Sequence, residues 1–260
     1  MAVVELTAPP SWQAVDFISD LHLNANEPAT VDAWQSYMLA STAGALFILG
    51  DLFEVWVGDD AIAVSGFESQ CARIIRQAAL RMPIFFMRGN RDFLAGQALM
   101  QACNMSLLAD PTVLTFNHQH WLLAHGDALC VDDVDYLAFR QQVRSAQWQH
   151  AFLAKPLAER QAIARGLRQQ SQAQHDLRKQ SGVADADVDA GAARQLLTEA
   201  NANTLIHGHT HKPADIDLGD GLQRVVLSDW DAQATPARVE VLRLTTTGLR
   251  RLPLLDEPNR

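Results

Sequence analysis

The chain is short of cysteine, of long apolar runs and of positive charge. Cys71, Cys103 and Cys130 are its only cysteines, odd in number and far apart. They form no CxxC pair, which excludes a disulfide framework and a zinc knuckle and points to a reducing compartment. No apolar stretch approaches the ~20 residues of a spanning helix, so any membrane contact is expected to be peripheral. The first residues hold no Lys or Arg, carry Glu5 inside a short apolar run and then meet Pro9-Pro10, unlike a secretory signal. Lys and Arg number 21 against 30 Asp and Glu, a formal charge of −9. That balance disfavours a general nucleic-acid partner, and no obligate protein partner is evident.

What is present is ordinary globular composition, 48% apolar and 20% charged over 260 residues, enough to bury a large core. Residues 14–19, 45–49 and 84–87 read as strands, the last two as the continuous apolar runs of strands buried on both faces. Between them, helices are predicted from a Thr30 cap to about Ala40 and over 67–82, closed by Pro83, with a third over 93–103. Residues 113–116 and 121–124 flank Asn117-His118-Gln119-His120 as a hairpin. Residues 134–200 are helical in character throughout. Strands resume at 204–206, then at 215–218, 222–227 and 239–244, with a frayed tail expected from Pro253. The order predicts an α/β sandwich of two packed sheets with helices outside and a helical cap inserted between late strands. Its parts are a core over 14–133, the cap over 134–200 and the rest of the core over 201–252.

Five predicted strands end alike, with metal-ligand residue types just past the apolar run: Asp20-Leu21-His22, Gly50-Asp51, Gly89-Asn90-Arg91-Asp92, His125-Gly126-Asp127 and His207-Gly208-His209-Thr210-His211. Loops at strand ends are where an open sheet places its site. Glycine beside the donors would let the backbone turn sharply and approach an ion. A lone Asp-x-His is more often a cap or a surface turn, and Gly-Asp is common turn chemistry. Five such ends in series are harder to explain without a site. Asp20, His22, Asp51, Asn90, His125, His209 and His211 are too many donors for one tetrahedral zinc. They suit two ions, if one carboxylate bridges. Imidazole, carboxylate and amide without thiolate suit Mn, Fe or Zn, and two ions ~3.5–4 Å apart clamp an in-line attack on phosphorus. His118 and His120 read as surface or satisfied histidines, and His207 as a support hydrogen-bonded to a ligand.

In this order the motifs resemble the calcineurin-like metallophosphoesterase family over about residues 14–230. The finer strings, Ser19 to Leu23, Leu49 to Trp56, Gly58-Asp59-Asp60, Arg88 to Leu94 and Ile206 to Pro213, are similar to the branch acting on UDP-2,3-diacylglucosamine, a UDP-linked lipid of lipid A synthesis. The resemblance implies Asp20, His22, Asp51 and His211 on one divalent ion and Asp51, Asn90, His125 and His209 on the other, with Mn²⁺ as the metal. Asp51, Asn90, Arg91 and His125 would carry catalysis. Water would attack the α-phosphorus, releasing UMP and the acylated glucosamine 1-phosphate. The setting implied is the cytoplasmic face of the inner membrane. Substrate contacts carried over are Asn90, Arg91, Asp133 and His209. In the insertion, the family's Ser, Asn and Lys fall on Ser171, His175 and Arg178 (or Lys179), with only the Ser retained.

Many relatives have His directly after the Asn, able to protonate a poor leaving group; here that residue is Arg91. A phosphate monoester, with a second pKa of about 6, leaves without an acid, whereas a fixed guanidinium suits phosphate oxygens. Arg91 therefore favours a diphosphate. Between Tyr136 and Gln180 stand eight basic and two acidic residues, a block of +6 in a chain otherwise −15. An apolar series, Trp148, Phe152, Leu153, Leu157, Ile163 and Leu167, accompanies it. This is either a basic amphipathic cap docked on the core or an element that meets acyl chains and anionic lipid. A soluble nucleotide pyrophosphatase or phosphodiesterase would not need such a cap. A metallophosphoesterase scaffold reused as a binding module would be expected to have lost donors.

Overall fold

The computed structural model describes residues 3–181 and 186–255, and only the backbone of 172, 174–176 and 178–180. Among the described residues twelve strands form two six-stranded sheets. The first contains β1 (Val4–Thr7), β6 (Thr112–Phe116), β7 (Gln119–Ala124), β8 (Thr204–His207), β10 (Leu222–Val226) and β9 (Ala214–Gly219), in that spatial order. The second runs β12 (Gly248–Pro253), β11 (Glu240–Thr245), β2 (Ala14–Ile18), β3 (Ala45–Leu49), β4 (Ile84–Met87) and β5 (Ser106–Leu108).

Strand periodicity divides each apolar run between two layers. Val15 and Phe17, with Ala45, Phe47 and Leu49, face inward and meet Leu114, Leu123, Ile206 and Val225 of the other sheet. The alternate residues Ile18, Leu46, Ile48, Ile84 and Phe86 face outward under α1 (Pro28–Ala40), α2 (Phe67–Ala78) and α3 (Gln97–Cys103). Val113, Leu122 and Leu205 meet α7 (Ala190–Glu199) on the opposite side. The result is the αββα sandwich the sequence predicts.

Register places the site. β2, β3 and β4 are parallel and aligned, Val15 beside Ala45 and Leu46 beside Ile84, so Asp20, Asp51 and Asn90 leave one rim together. In the other sheet Ala124 pairs with His207 on parallel strands, bringing His125 and the segment from Gly208 to that rim.

Several boundaries differ from expectation. α1 starts at Pro28, where proline's fixed φ suits the first turn, and Thr30 is no cap: its Oγ1 accepts from Ala232 N at 3.1 Å. α3 starts at Gln97, because Phe93 to Gly96 form a turn and the Asp59 carboxylate takes the N–H groups of Gly96 and Leu99. The hairpin turn is only Asn117-His118, both at positive φ. β1, β5 and β12 were not evident in the sequence. The helical stretch is α4 (Val134–Val143), α5 (Ala146–Leu153), α6 (Leu157–Gln180) and α7.

Asp16 is an acid inside β2, fully buried, and receives Tyr37 Oη at 2.8 Å and Arg243 Nε and Nη2 at 2.7 and 2.8 Å. Arg243 is its cross-strand neighbour on β11. Arg243→Met leaves that carboxylate buried without its cation, which costs about 3–5 kcal/mol. Urea unfolding is expected to show a loss of that size, partly restored when Asp16→Asn is added. A loss under 1 kcal/mol would mean the pair is not needed.

Candidate metal centre

The donors converge in two groups. On one side His22 Nε2 lies 3.1 Å from His211 Nε2, and His211 Nε2 lies 3.3 Å from Asp20 Oδ1. On the other, Asn90 Oδ1 is 2.9 Å from both His125 Nε2 and His209 Nδ1. Asp51 stands between them, with Oδ2 3.9 Å from His22 Nε2 and Oδ1 3.8 Å from His125 Nε2. All seven sequence-predicted donors are thus in one cluster. Within it, ligand atoms of Asp20, His22 and His211, and of Asp20, Asp51 and His125, come close enough to share an ion.

The charge state fits a divalent cation. Asp20 and Asp51 are 0% and 1% exposed, and Asp20 Oδ1 is buried without a hydrogen-bond partner. Burial raises the Asp51 carboxyl, and His125 and His22 only partly offset it. Burial opposes ionisation of Asp20 as well, but His211, His125 and His22 outweigh it and hold it well below the usual range. Burial depresses His125, yet Asp51, Asp127 and Asp20 lift it to about 9. A field that lifts a buried imidazole is one a cation at the same place would meet.

The backbone is set for this arrangement. Asp20, His22, Asp51, His209 and His211 all have φ between 48° and 70°, the left-handed region that non-glycine residues seldom enter. The glycine expectation needs correction at two positions. Gly89 and Gly208 do not supply positive φ; they supply space. A Cβ on Gly89 would overlap Asp51 Oδ1, and one on Gly208 would overlap Asp20 Oδ2 and Ser19 Oγ.

A family model for calcineurin-like phosphoesterases matches residues 14–213. The chain belongs to that family. This metallophosphoesterase is 45% identical over 93% of its length to a UDP-2,3-diacylglucosamine hydrolase of Chromobacterium violaceum, covering 99% of that protein. It is 40% identical to one from Bordetella pertussis, over 95% of this chain and 96% of the relative. A solved archaeal phosphodiesterase matches with a TM-score of 0.46 at 11% identity, over 92% of this chain and 98% of its own.

Other expectations divide. Arg91 Nε lies 3.8 Å from Asp51 Oδ2 without a hydrogen-bond partner, beside the cluster. Asp133 caps α4, accepting from Tyr136 N at 3.2 Å, and Ser171 is exposed on α6. The side chains of His175, Arg178 and Lys179 lie outside the described residues. His207 is buried, but its Nδ1 meets Gly208 O at 2.7 Å and no donor side chain, so it does not brace a ligand; burial takes it down to about 4. His118 is exposed, and His120 Nδ1 meets Asn201 O at 3.0 Å.

The sequence reading missed the supports. The Asp92 carboxylate, with Oδ1 and Oδ2 sharing the bonds, accepts from the N–H groups of Gly89, Leu52 and Asp51, tying two donor loops together, and burial beside Asp51 pushes it up to about 7. Asp127 receives Tyr136 Oη at 2.6 Å and Arg140 Nε at 2.7 Å, while the Tyr136 ring stacks on His209. Glu54 Oε2 is 3.1 Å from His22 Nδ1, and its Oε1 pairs with Arg168 of α6. A carboxylate behind a ligating histidine fixes the ring and raises its basicity. Glu54→Gln is therefore expected to weaken divalent-metal affinity about 10–100-fold, measured by titrating Mn²⁺ into the metal-free protein, with the melting temperature little changed. Unchanged affinity would show that His22 needs no such support.

Proposed function

We propose that this chain hydrolyses the pyrophosphate of UDP-2,3-diacylglucosamine, giving UMP and 2,3-diacylglucosamine 1-phosphate. The observation that carries the reading is the 40–45% identity to hydrolases named for that substrate. The matches leave too few residues outside to omit the helical block, so cap and sandwich are shared together.

The proposed assignment puts Asp20, His22, Asp51 and His211 on one ion and Asp51, Asn90, His125 and His209 on the other. Two divalent ions there, proposed to be Mn²⁺, would supply Lewis-acid stabilisation and a nucleophilic water at neutral pH. Asp51 offers one oxygen to each side. Asn90 and His209 would contact the phosphate, and Arg91 would provide a fixed cation for oxygens that gain charge as the α-phosphorus is attacked. Asp133, Ser171, His175 and Arg178 are proposed contacts toward the sugar and cap. The soluble nucleotide pyrophosphatase reading has no observation in its favour beyond the shared fold.

Incubating the purified chain with the lipid substrate and assaying UMP tests the reaction; release of uridine or UDP instead would overturn it. Asp51→Ala is expected to lose both metals and fall to background. Two tightly bound ions with over a tenth of the activity would contradict the bridge. Arg91→Ala should keep both metals and lose ~10²–10³ in turnover, with Arg91→Lys recovering only part because the planar fork is gone. Metal loss in Arg91→Ala would refute that role.

Peripheral contact with an anionic membrane on the cytoplasmic side is part of the proposal. Most of the apolar series packs inward: Trp148, Phe152, Leu157 and Ile163 join the core under α1–α3. Phe139, Leu153, Leu167 and Leu177 remain exposed, as does Arg165. Among the described residues, no helix is long and apolar enough to cross a membrane. The protein is expected to sediment with anionic vesicles at low salt and release at high salt; salt-independent binding to neutral vesicles would refute the electrostatic part.

A further inference from the structure

Beside the loop that carries Asn90 and Arg91 lies an open cavity of about 470 Å³, walled by Arg88, Arg140, Arg144, Asp110 and residues 107–109. Its charges are unevenly matched. Arg140 lies between Asp127, at 2.7 Å, and Asp110, at 3.5 Å. Arg144 reaches Asp127 at 3.4 Å and gives a hydrogen bond to Gly89 O at 3.0 Å. Among the described residues no carboxylate comes within ion-pair distance of Arg88, whose Nε donates to Ala95 O at 2.6 Å. Arg88 and Arg144 thus line the same cavity, Arg144 sharing Asp127 with Arg140 and Arg88 without a paired carboxylate among the described residues.

The donors also point to a ligand. Among the described residues Arg88 donates only through Nε and Arg144 only through Nη2. A guanidinium has five N–H groups in a planar fork, so both arginines keep donors for an oxyanion. The fork matches phosphate oxygens two at a time. Asp110 on the wall disfavours a polyanionic chain, and the two guanidinium forks suit a single phosphate group. None of these residues belongs to the donor cluster or to the proposed substrate contacts.

We propose that this cavity is a second phosphate site, separate from the metal centre, which binds a single phosphate group between Arg88 and Arg144. That chemistry comes from free phosphate or from a lipid phosphomonoester headgroup. Crystals of the metal-loaded full chain soaked in tungstate should show an anomalous peak within hydrogen-bond reach of both guanidinium groups. Arg88→Gln, which can still donate to Ala95 O, should abolish that peak, and Arg88→Lys should retain it. In solution, titration with inorganic phosphate at constant ionic strength should show a binding component at least tenfold weaker in Arg88→Gln. If instead only phosphatidate vesicles bind in an Arg88-dependent way, the ligand is a headgroup. Tungstate confined to the metal centre, or binding of both probes unaffected by Arg88→Gln, would overturn the proposal.

Discussion

The structure depends on keeping two carboxylates ionisable where water does not reach. Asp20 and Asp51 are almost wholly buried, and an isolated carboxylate taken out of water carries a desolvation cost of several kcal/mol. The surroundings offset it with imidazoles from both sheets. They also offset it with backbone amides, His209 N to Asp20 and Arg91 N to Asp51. That requirement explains why two sheets with parallel central strands are brought to one rim, and why Asp92 and Asp127 stand behind the donors. Each acid in that outer ring holds a loop or a guanidinium in place.

Much of this was legible in the sequence, and the reason is local. Strands 45–49 and 84–87 were bounded correctly because burial on both faces makes them continuous apolar runs. The donors follow those runs directly, so locating the strands located the site. Val4–Thr7 and Ser106–Leu108 carry no such run; they are strands only because β6 and β4 offer them an edge. The supports were invisible for a related reason. Glu54 and Arg168 lie 114 residues apart, and no spacing rule pairs a loop acid with a helix arginine at that distance.

Charge counting in sequence left the positive block open to two readings, a cap docked on the core or an element that meets lipid. Arg140 and Arg144 end on Asp127, Arg160 on Asp60 and Val57 O, and Arg168 on Glu54. An acidic sandwich and a basic cap are complementary halves of one interface, so net charge per segment reported docking as much as any outside partner. Among the described residues of these helices, Phe139, Leu153, Leu167 and Leu177 stay open to solvent together with Arg165.

The left-handed backbone at five of the donors has a consequence for what this centre can become. Asp, Asn and His tolerate that conformation several-fold better than most residues, whereas a poorly suited side chain held there costs about 1–3 kcal/mol. The available alphabet of ligands is therefore narrow. Replacing His22 by Cys or Asp20 by Glu exchanges more than a donor atom: it asks the chain to hold a turn the newcomer resists. Single substitutions toward a thiolate-rich centre for softer metals meet that conformational barrier before coordination chemistry is tried. At the proposed centre the loop geometry would thus filter the choice of donors, through torsion angles and before any ion arrives.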